Sequence, residues 1–82
     1  MEYSAHSLEQ MALRGIDKTL TDLILLKPDQ VIQQENLTVY QSLIKQNNKN
    51  YLIRIFVNLQ KLPPLVVTVY KTSQIQKYLN ED

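Results

Sequence analysis

Seven consecutive residues constrain this chain more than any others: Tyr51-Leu52-Ile53-Arg54-Ile55-Phe56-Val57. They alternate between an aliphatic set (Tyr51, Ile53, Ile55, Val57) and a mixed set (Leu52, Arg54, Phe56), the period of a strand with two unlike faces. The first set predicts contact with a hydrophobic core. The second carries an arginine in mid-strand, and arginine is rarely fully buried unless it is paired.

Two helices are expected upstream. Ser4 can cap the first, over about residues 5–13, with Leu8, Met11 and Ala12 at i, i+3 and i+4 as its buried stripe. Gly15 is the only glycine in the chain. It stands where a helix end calls for a left-handed residue, with Ile16 following as the apolar contact. Asp17 then caps a second helix over about residues 18–26, whose apolar face is Leu20, Leu23 and Ile24, and Pro28 blocks its continuation. The short connection between them makes the helices antiparallel neighbours.

After Pro28 the period changes to two. Gln30 to Gln34 and Leu37 to Lys45 read as strands, Gln46-Asn47-Asn48-Lys49-Asn50 as a turn, and Leu65 to Lys71 as the last strand after a loop with two prolines. With hairpin loops centred near Asn48 and Lys61 and no bulge, odd positions pair with odd positions. Leu37, Val39, Leu43, Ile53, Ile55, Val57, Leu65, Val67 and Val69 then share the face that the helices cover. Tyr40, Ser42, Arg54, Phe56, Thr68 and Tyr70 share the other. Ser73 with Gln76 resembles a capping box before a short terminal helix, and a fifth short strand is the alternative. The expected fold is a single α+β domain: two N-terminal helices on one face of a three- to four-stranded antiparallel sheet, with a short C-terminal helix.

At 82 residues the chain holds one modest core. Without cysteine it has no disulfide and no thiolate metal site, and it has no secretory signal pattern or long apolar run, so the cytoplasm is the simplest location. Short, weakly basic helices argue against a membrane surface. There is no glycine-rich phosphate loop, no His-carboxylate ligand spacing and no activated serine or cysteine signature, so neither cofactor nor metal is expected.

Net charge is only +1, but it is unevenly spread: residues 1–35 hold six acids against three bases, and residues 36–80 hold six bases and no acid. Those lysines either keep a solvated sheet from edge-to-edge aggregation or make a phosphate-binding surface. On the second face, Tyr40, Phe56 and Tyr70 could stack on unpaired bases, Arg54 could fork onto phosphate, and Thr68 adds a hydroxyl beside them. The competing expectation is that the terminal helix folds over these aromatics as a second small core, with Arg54 paired to an acid. His6 is the only histidine and the only side chain whose ordinary pKa suits proton transfer near neutrality; its alternative role is structural. Arg14 suits the negative end of the first helix.

Tyr3-Ser4-Ala5-His6, Met11-Ala12-Leu13-Arg14-Gly15-Ile16, Lys27-Pro28-Asp29, Val66-Val67-Thr68-Val69-Tyr70-Lys71-Thr72-Ser73 and Lys77-Tyr78, in that order, make the chain resemble the small prokaryotic domain-of-unknown-function family 4258. That family in turn is similar to the RelE, ParE and BrnT toxins of toxin-antitoxin modules. The resemblance implies a metal-independent endoribonuclease acting on RNA, as for RelE-like and BrnT-like members, or action on gyrase, as for ParE-like members, with a cognate antitoxin as protein partner; fold alone does not choose between them, and the first is the expectation taken forward. His6, Arg54 and Tyr70 would be its catalytic set, and Arg14, Tyr40, Phe56, Thr68, Lys71, Lys77 and Tyr78 would hold RNA. The other expectation is a non-catalytic protein-interaction module that binds through the aromatic face or a free strand edge.

Overall fold

A computed structural model describes residues 1–79. The elements in order are β1 (Glu2–Tyr3), α1 (Ala5–Arg14), α2 (Lys18–Leu26), β2 (Gln30–Gln34), β3 (Leu37–Gln46), β4 (Lys49–Asn58), β5 (Leu65–Thr72) and α3 (Ile75–Leu79). The strand built on Tyr51–Val57 lies at the centre of a five-stranded sheet of order β1-β5-β4-β3-β2. The fold is therefore α+β. Its sheet is mixed, because the two-residue β1 pairs parallel to β5 while the other pairs are antiparallel. That first strand was not expected; two residues are too few to show a period.

The helix ends follow the predicted chemistry. Ser4 Oγ accepts the Ser7 N–H at 3.0 Å, and Gly15 adopts φ 62° while the Ile16 N–H reaches the Met11 carbonyl at 2.8 Å. The Asp17 carboxylate accepts the Thr19 N–H at 3.4 Å. The buried stripes differ from expectation. Met11 is buried, but Leu8 is 44% exposed and Ala12 lies outside; Ser7 takes the inner position instead. The Ser7 hydroxyl donates to the Ser4 carbonyl at 2.8 Å, so a small, internally satisfied side chain lets α1 approach β5 closely. In α2, Thr21 is likewise buried with its hydroxyl on the Asp17 carbonyl, Ile24 is buried, Leu20 is half-buried and Leu23 is 58% exposed.

The largest departure is in β3. The hairpin turn is only Asn47-Asn48, with φ 52° and 63°, and Gln46 pairs with Lys49. Two positive-φ residues make the tight turn that matches strand twist, and a two-residue loop centres between residues rather than on one. Odd positions of β3 therefore pair with even positions of β4, and every β3 side chain changes face. Tyr40 sits opposite Ile55 and Ser42 opposite Ile53, on the helix side; Val39, Gln41 and Leu43 join Phe56, Arg54 and Leu52 on the other. The second correction is a register shift between Phe56 and Val57, where Val67 is the extra residue of a bulge. Val66, not Val67, consequently enters the core with Val57.

On the helix side Met11, Ile16, Ile24, Ile53, Ile55, Val57, Val66 and Val69 form the main core, with Tyr3, Leu20, Leu25, Tyr40 and Ile44 packed around it. Each fully buried aliphatic side chain contributes about 1.5–3 kcal/mol. The opposite face buries Ile32, Val39 and Leu52 and carries α3. Residues 75–79 are helical, which decides against a fifth C-terminal strand; α3 starts at Ile75, so the cap position falls on Gln74 rather than Ser73, and Thr72 Oγ accepts the Gln74 N–H at 3.0 Å. Asn80, the last residue of the stretch 73–80 that the sequence left open between helix and strand, lies outside the described residues.

Candidate functional site

Arg54 is the centre of the face that carries α3. It is only 2% exposed, a burial that strand pairing explains: β4 has neighbours on both sides, and α3 lies above it. Its guanidinium is held by side chains rather than left to solvent. Nε donates to Gln41 Oε1 at 2.8 Å, Nη1 to the Tyr70 hydroxyl at 2.8 Å and Nη2 to Gln34 Oε1 at 3.5 Å. Three rings surround it, with the Tyr78 centroid at 4.3 Å, Phe56 at 5.2 Å and Tyr70 at 5.8 Å. Phe56 stacks on Tyr70 with centroids 5.8 Å apart, and Tyr78 meets Tyr70 edge-on at 6.2 Å.

The amides of this cluster continue into the terminal helix. Gln41 Nε2 donates to Gln30 Oε1 at 2.7 Å and to the Tyr78 carbonyl at 3.5 Å, and Gln30 Nε2 donates to the Leu79 carbonyl at 3.4 Å. A buried cation and a run of glutamines thus tie β2, β3, β4 and α3 together. The phenols differ in environment. Burial pushes the Tyr70 hydroxyl above its ordinary pKa, partly opposed by Arg54. Hydrogen bonding with Tyr70, followed by the charges of Lys77 and Arg54, holds Tyr78 below the ordinary value.

The candidate residues fall into three groups. Arg54, Phe56, Tyr70 and Tyr78 are brought together, Thr68 stands opposite Phe56 on the same face, and the Lys77 amine lies 5.3 Å from the Tyr78 ring. Arg14 joins from α1: its Nη1 donates to the Val69 carbonyl at 3.1 Å and its guanidinium lies 5.9 Å from the Tyr70 ring. Tyr40 is not among them, because the two-residue turn places it on the helix side against the main core. Lys71 pairs with Ile53 and lies beside Gln46 at 3.1 Å and the Tyr51 ring at 5.0 Å, away from Arg54. His6 is exposed on α1, and among the described residues no hydrogen bond, ion pair or ring contact links it to Arg54 or Tyr70.

Sequence reasoning missed Gln41 and Gln34, the oxygens that hold the guanidinium. The available signal was the turn: Asn47-Asn48 read as a two-residue loop puts Gln41 opposite Arg54. It also missed an open groove of about 620 Å³ at the far end of this face, lined by Leu43, Ile44, Lys45, Asn50, Ile75 and Leu79 among others. Leu43 there is 48% exposed. Among the described residues, no three His, Cys, Asp or Glu side chains group as metal ligands, and no helix is long and apolar enough to cross a membrane. Comparison of the chain with family models, curated proteins and solved structures returned no match.

Proposed function

We propose that the chain is a non-catalytic protein-interaction module that takes an acidic, apolar-patterned segment of a partner, such as a cognate antitoxin, on the sheet face that carries α3. The observation that supports this reading is the groove between the end of β3 and α3. Its apolar walls are Leu43, Ile75 and Leu79, and Lys45 stands among its lining residues. Regularly spaced apolar side chains of a bound segment fill such a groove, and complementary charge selects among segments. The groove lies in the half of the chain, residues 36–80, that holds six bases and no acid. Arg54 is meanwhile committed to Gln41, Tyr70 and Gln34 inside the domain.

Two synthetic peptides with the same leucine spacing, one carrying glutamates and one lysines, test this reading by amide chemical-shift titration. The glutamate peptide is expected to shift residues 43–45 and 75–79, Leu43→Glu to abolish the effect and Lys45→Glu to weaken it several-fold. Equal binding of both peptides, or of neither, removes the reading.

A second reading, a metal-independent endoribonuclease toxin similar to RelE or BrnT, is favoured by the bracketing of Tyr70 between Arg14 at 5.9 Å and Arg54 at 5.8 Å. In it a ribose 2′-oxygen bonds to the adjacent phosphorus, the bond to the 5′-oxygen breaks, and the proton passes to that leaving oxygen, giving a cyclic phosphate end. The two guanidinium groups would oppose the charge that builds on phosphorus, with Tyr70 and Tyr78 stacking on bases. Induced expression of wild type, Arg14→Ala, Tyr70→Phe and His6→Ala, with RNA examined for new ends, decides it. Growth arrest and cutting that require Arg14 and Tyr70 support the enzyme; a harmless wild type that leaves RNA intact removes it.

A further inference from the structure

We propose that Gln46, Lys49, Tyr51 and Lys71 form an anion site at the hairpin end of the sheet, on the face that carries α1 and α2, and that its ligand is the dianion of a phosphate monoester. The two-residue turn builds it. Gln46 and Lys49 are the pair that closes the turn, Tyr51 stands opposite Ile44, and Lys71 stands opposite Ile53. Because side chains alternate along a strand, all four lie on the side where Ile53 enters the main core. Gln46, Tyr51 and Lys71 are half-buried there, and Lys49 is exposed.

Two ammonium groups converge on one ring: Lys71 Nζ lies 5.0 Å and Lys49 Nζ 5.6 Å from the Tyr51 centroid. A ring face holds a cation in place without neutralising it. Among the described residues no carboxylate pairs with either lysine, and residues 36–80 contain no acid. Gln46 Oε1 accepts from Lys71 Nζ at 3.1 Å. Its amide nitrogen, which has no acceptor among the described residues, is a further donor. The cluster therefore offers two positive charges and spare N–H donors, and its one amide oxygen is already taken by Lys71. An oxyanion, whose oxygens only accept, is the complement of such a set. Charge then selects the kind of oxyanion. A carboxylate or a phosphodiester offsets one lysine, whereas a terminal phosphate carries close to two negative charges near neutral pH and has three oxygens to bridge the donors. The site lies on the sheet face opposite the groove proposed above for a partner segment and does not depend on it.

Chemical-shift titration of the isotopically labelled chain at pH 8 with methyl phosphate and with dimethyl phosphate tests the site, since the two probes differ by one charge at nearly the same size. Methyl phosphate is expected to give saturable shifts at Lys49, Tyr51, Lys71 and the Gln46 side-chain amide, and dimethyl phosphate to bind at least tenfold more weakly. Lys49→Gln and Lys71→Gln are each expected to weaken methyl phosphate at least fivefold. Lys61→Gln, which removes the same charge from the β4–β5 loop, is expected to leave binding within twofold. If Lys71→Gln loses the folded spectrum, the exposed Lys49 decides alone. A wild type without saturable shifts up to about 10 mM ligand, weaker than specific recognition, overturns the proposal. Equal binding of dimethyl phosphate also overturns it and points to a polynucleotide backbone instead, and an effect of Lys61→Gln as large as that of Lys49→Gln reduces the site to net charge.

Discussion

Gln41 stands directly opposite Arg54 in the β3–β4 ladder, and its side-chain oxygen accepts the Arg54 Nε–H at 2.8 Å while its amide nitrogen reaches Gln30 and the Tyr78 carbonyl. One neutral, fully buried side chain thereby accommodates a cation that is 2% exposed and ties it to the terminal helix. A guanidinium in such a place is tolerated only when its donors are satisfied, because an unmatched buried charge is costly.

Gln41→Leu keeps the volume and removes both functions. A hydrogen bond to a charged group is worth about 1.5–3 kcal/mol, so urea unfolding is expected to show a loss of about 2 kcal/mol. Hydrogen exchange in α3 should also accelerate. An unchanged midpoint with unchanged exchange would mean that Gln41 is not what holds the guanidinium.

The turn at Asn47-Asn48 decides which side chains meet, and its chemistry can be varied without touching the core. Asn48 adopts φ 63°, a region open to glycine and costly for a β-branched residue. Asn48→Gly is expected to leave stability equal or slightly raised, and Asn48→Val to lower it by about 1–3 kcal/mol. Equal unfolding midpoints for the two variants would remove the positive-φ requirement.

Helix α1 offers a paired test of its orientation. Met11 is 3% exposed and Leu8 44%. Met11→Ala is expected to cost about 2–5 kcal/mol through the cavity it leaves, and Leu8→Ala only about 0.5 kcal/mol. If the two losses were equal, the buried stripe would have to be the Leu8-Met11-Ala12 set that periodicity alone suggests.

Tyr3 ties β1 to α2: its hydroxyl donates to the Asp22 carboxylate at 2.5 Å, and Lys18 bridges the same carboxylate at 3.2 Å. The bond from Tyr3, then those from Lys18, holds the Asp22 carboxyl below its ordinary pKa of 3.8. A lowered folded-state pKa contributes stability that is present above the unfolded value and lost as pH falls through the folded value. Asp22→Asn is therefore expected to be less stable than wild type at neutral pH, with the gap constant down to the ordinary value of 3.8 and closing below it. A gap that persisted undiminished in acid would show that the carboxylate charge is not its source.

Much of this molecule was legible in one dimension because the physics there is local. Ser4, Gly15 and Asp17 mark helix ends through backbone groups within a few residues of themselves, and the Tyr51–Val57 alternation identified the strand that became the sheet centre. The closeness of Arg54 to Tyr70 and Phe56 followed from the same strand and its β5 neighbour, whereas its burial was only one of two alternatives until α3 was seen to lie over it. What the tertiary structure alone decided was which faces meet. A hairpin loop of two residues, rather than a turn centred on Asn48, reverses a whole strand, and so it exchanged Tyr40 for Gln41 beside the arginine. A bulge at Val67 exchanged it for Val66 in the core. Side-chain pattern along one strand is blind to such half-period shifts, because β3 carries apolar residues at both parities; only simultaneous packing of two helices, five strands and α3 selects the pairing that buries Val39 and leaves Leu43 at the rim of a groove.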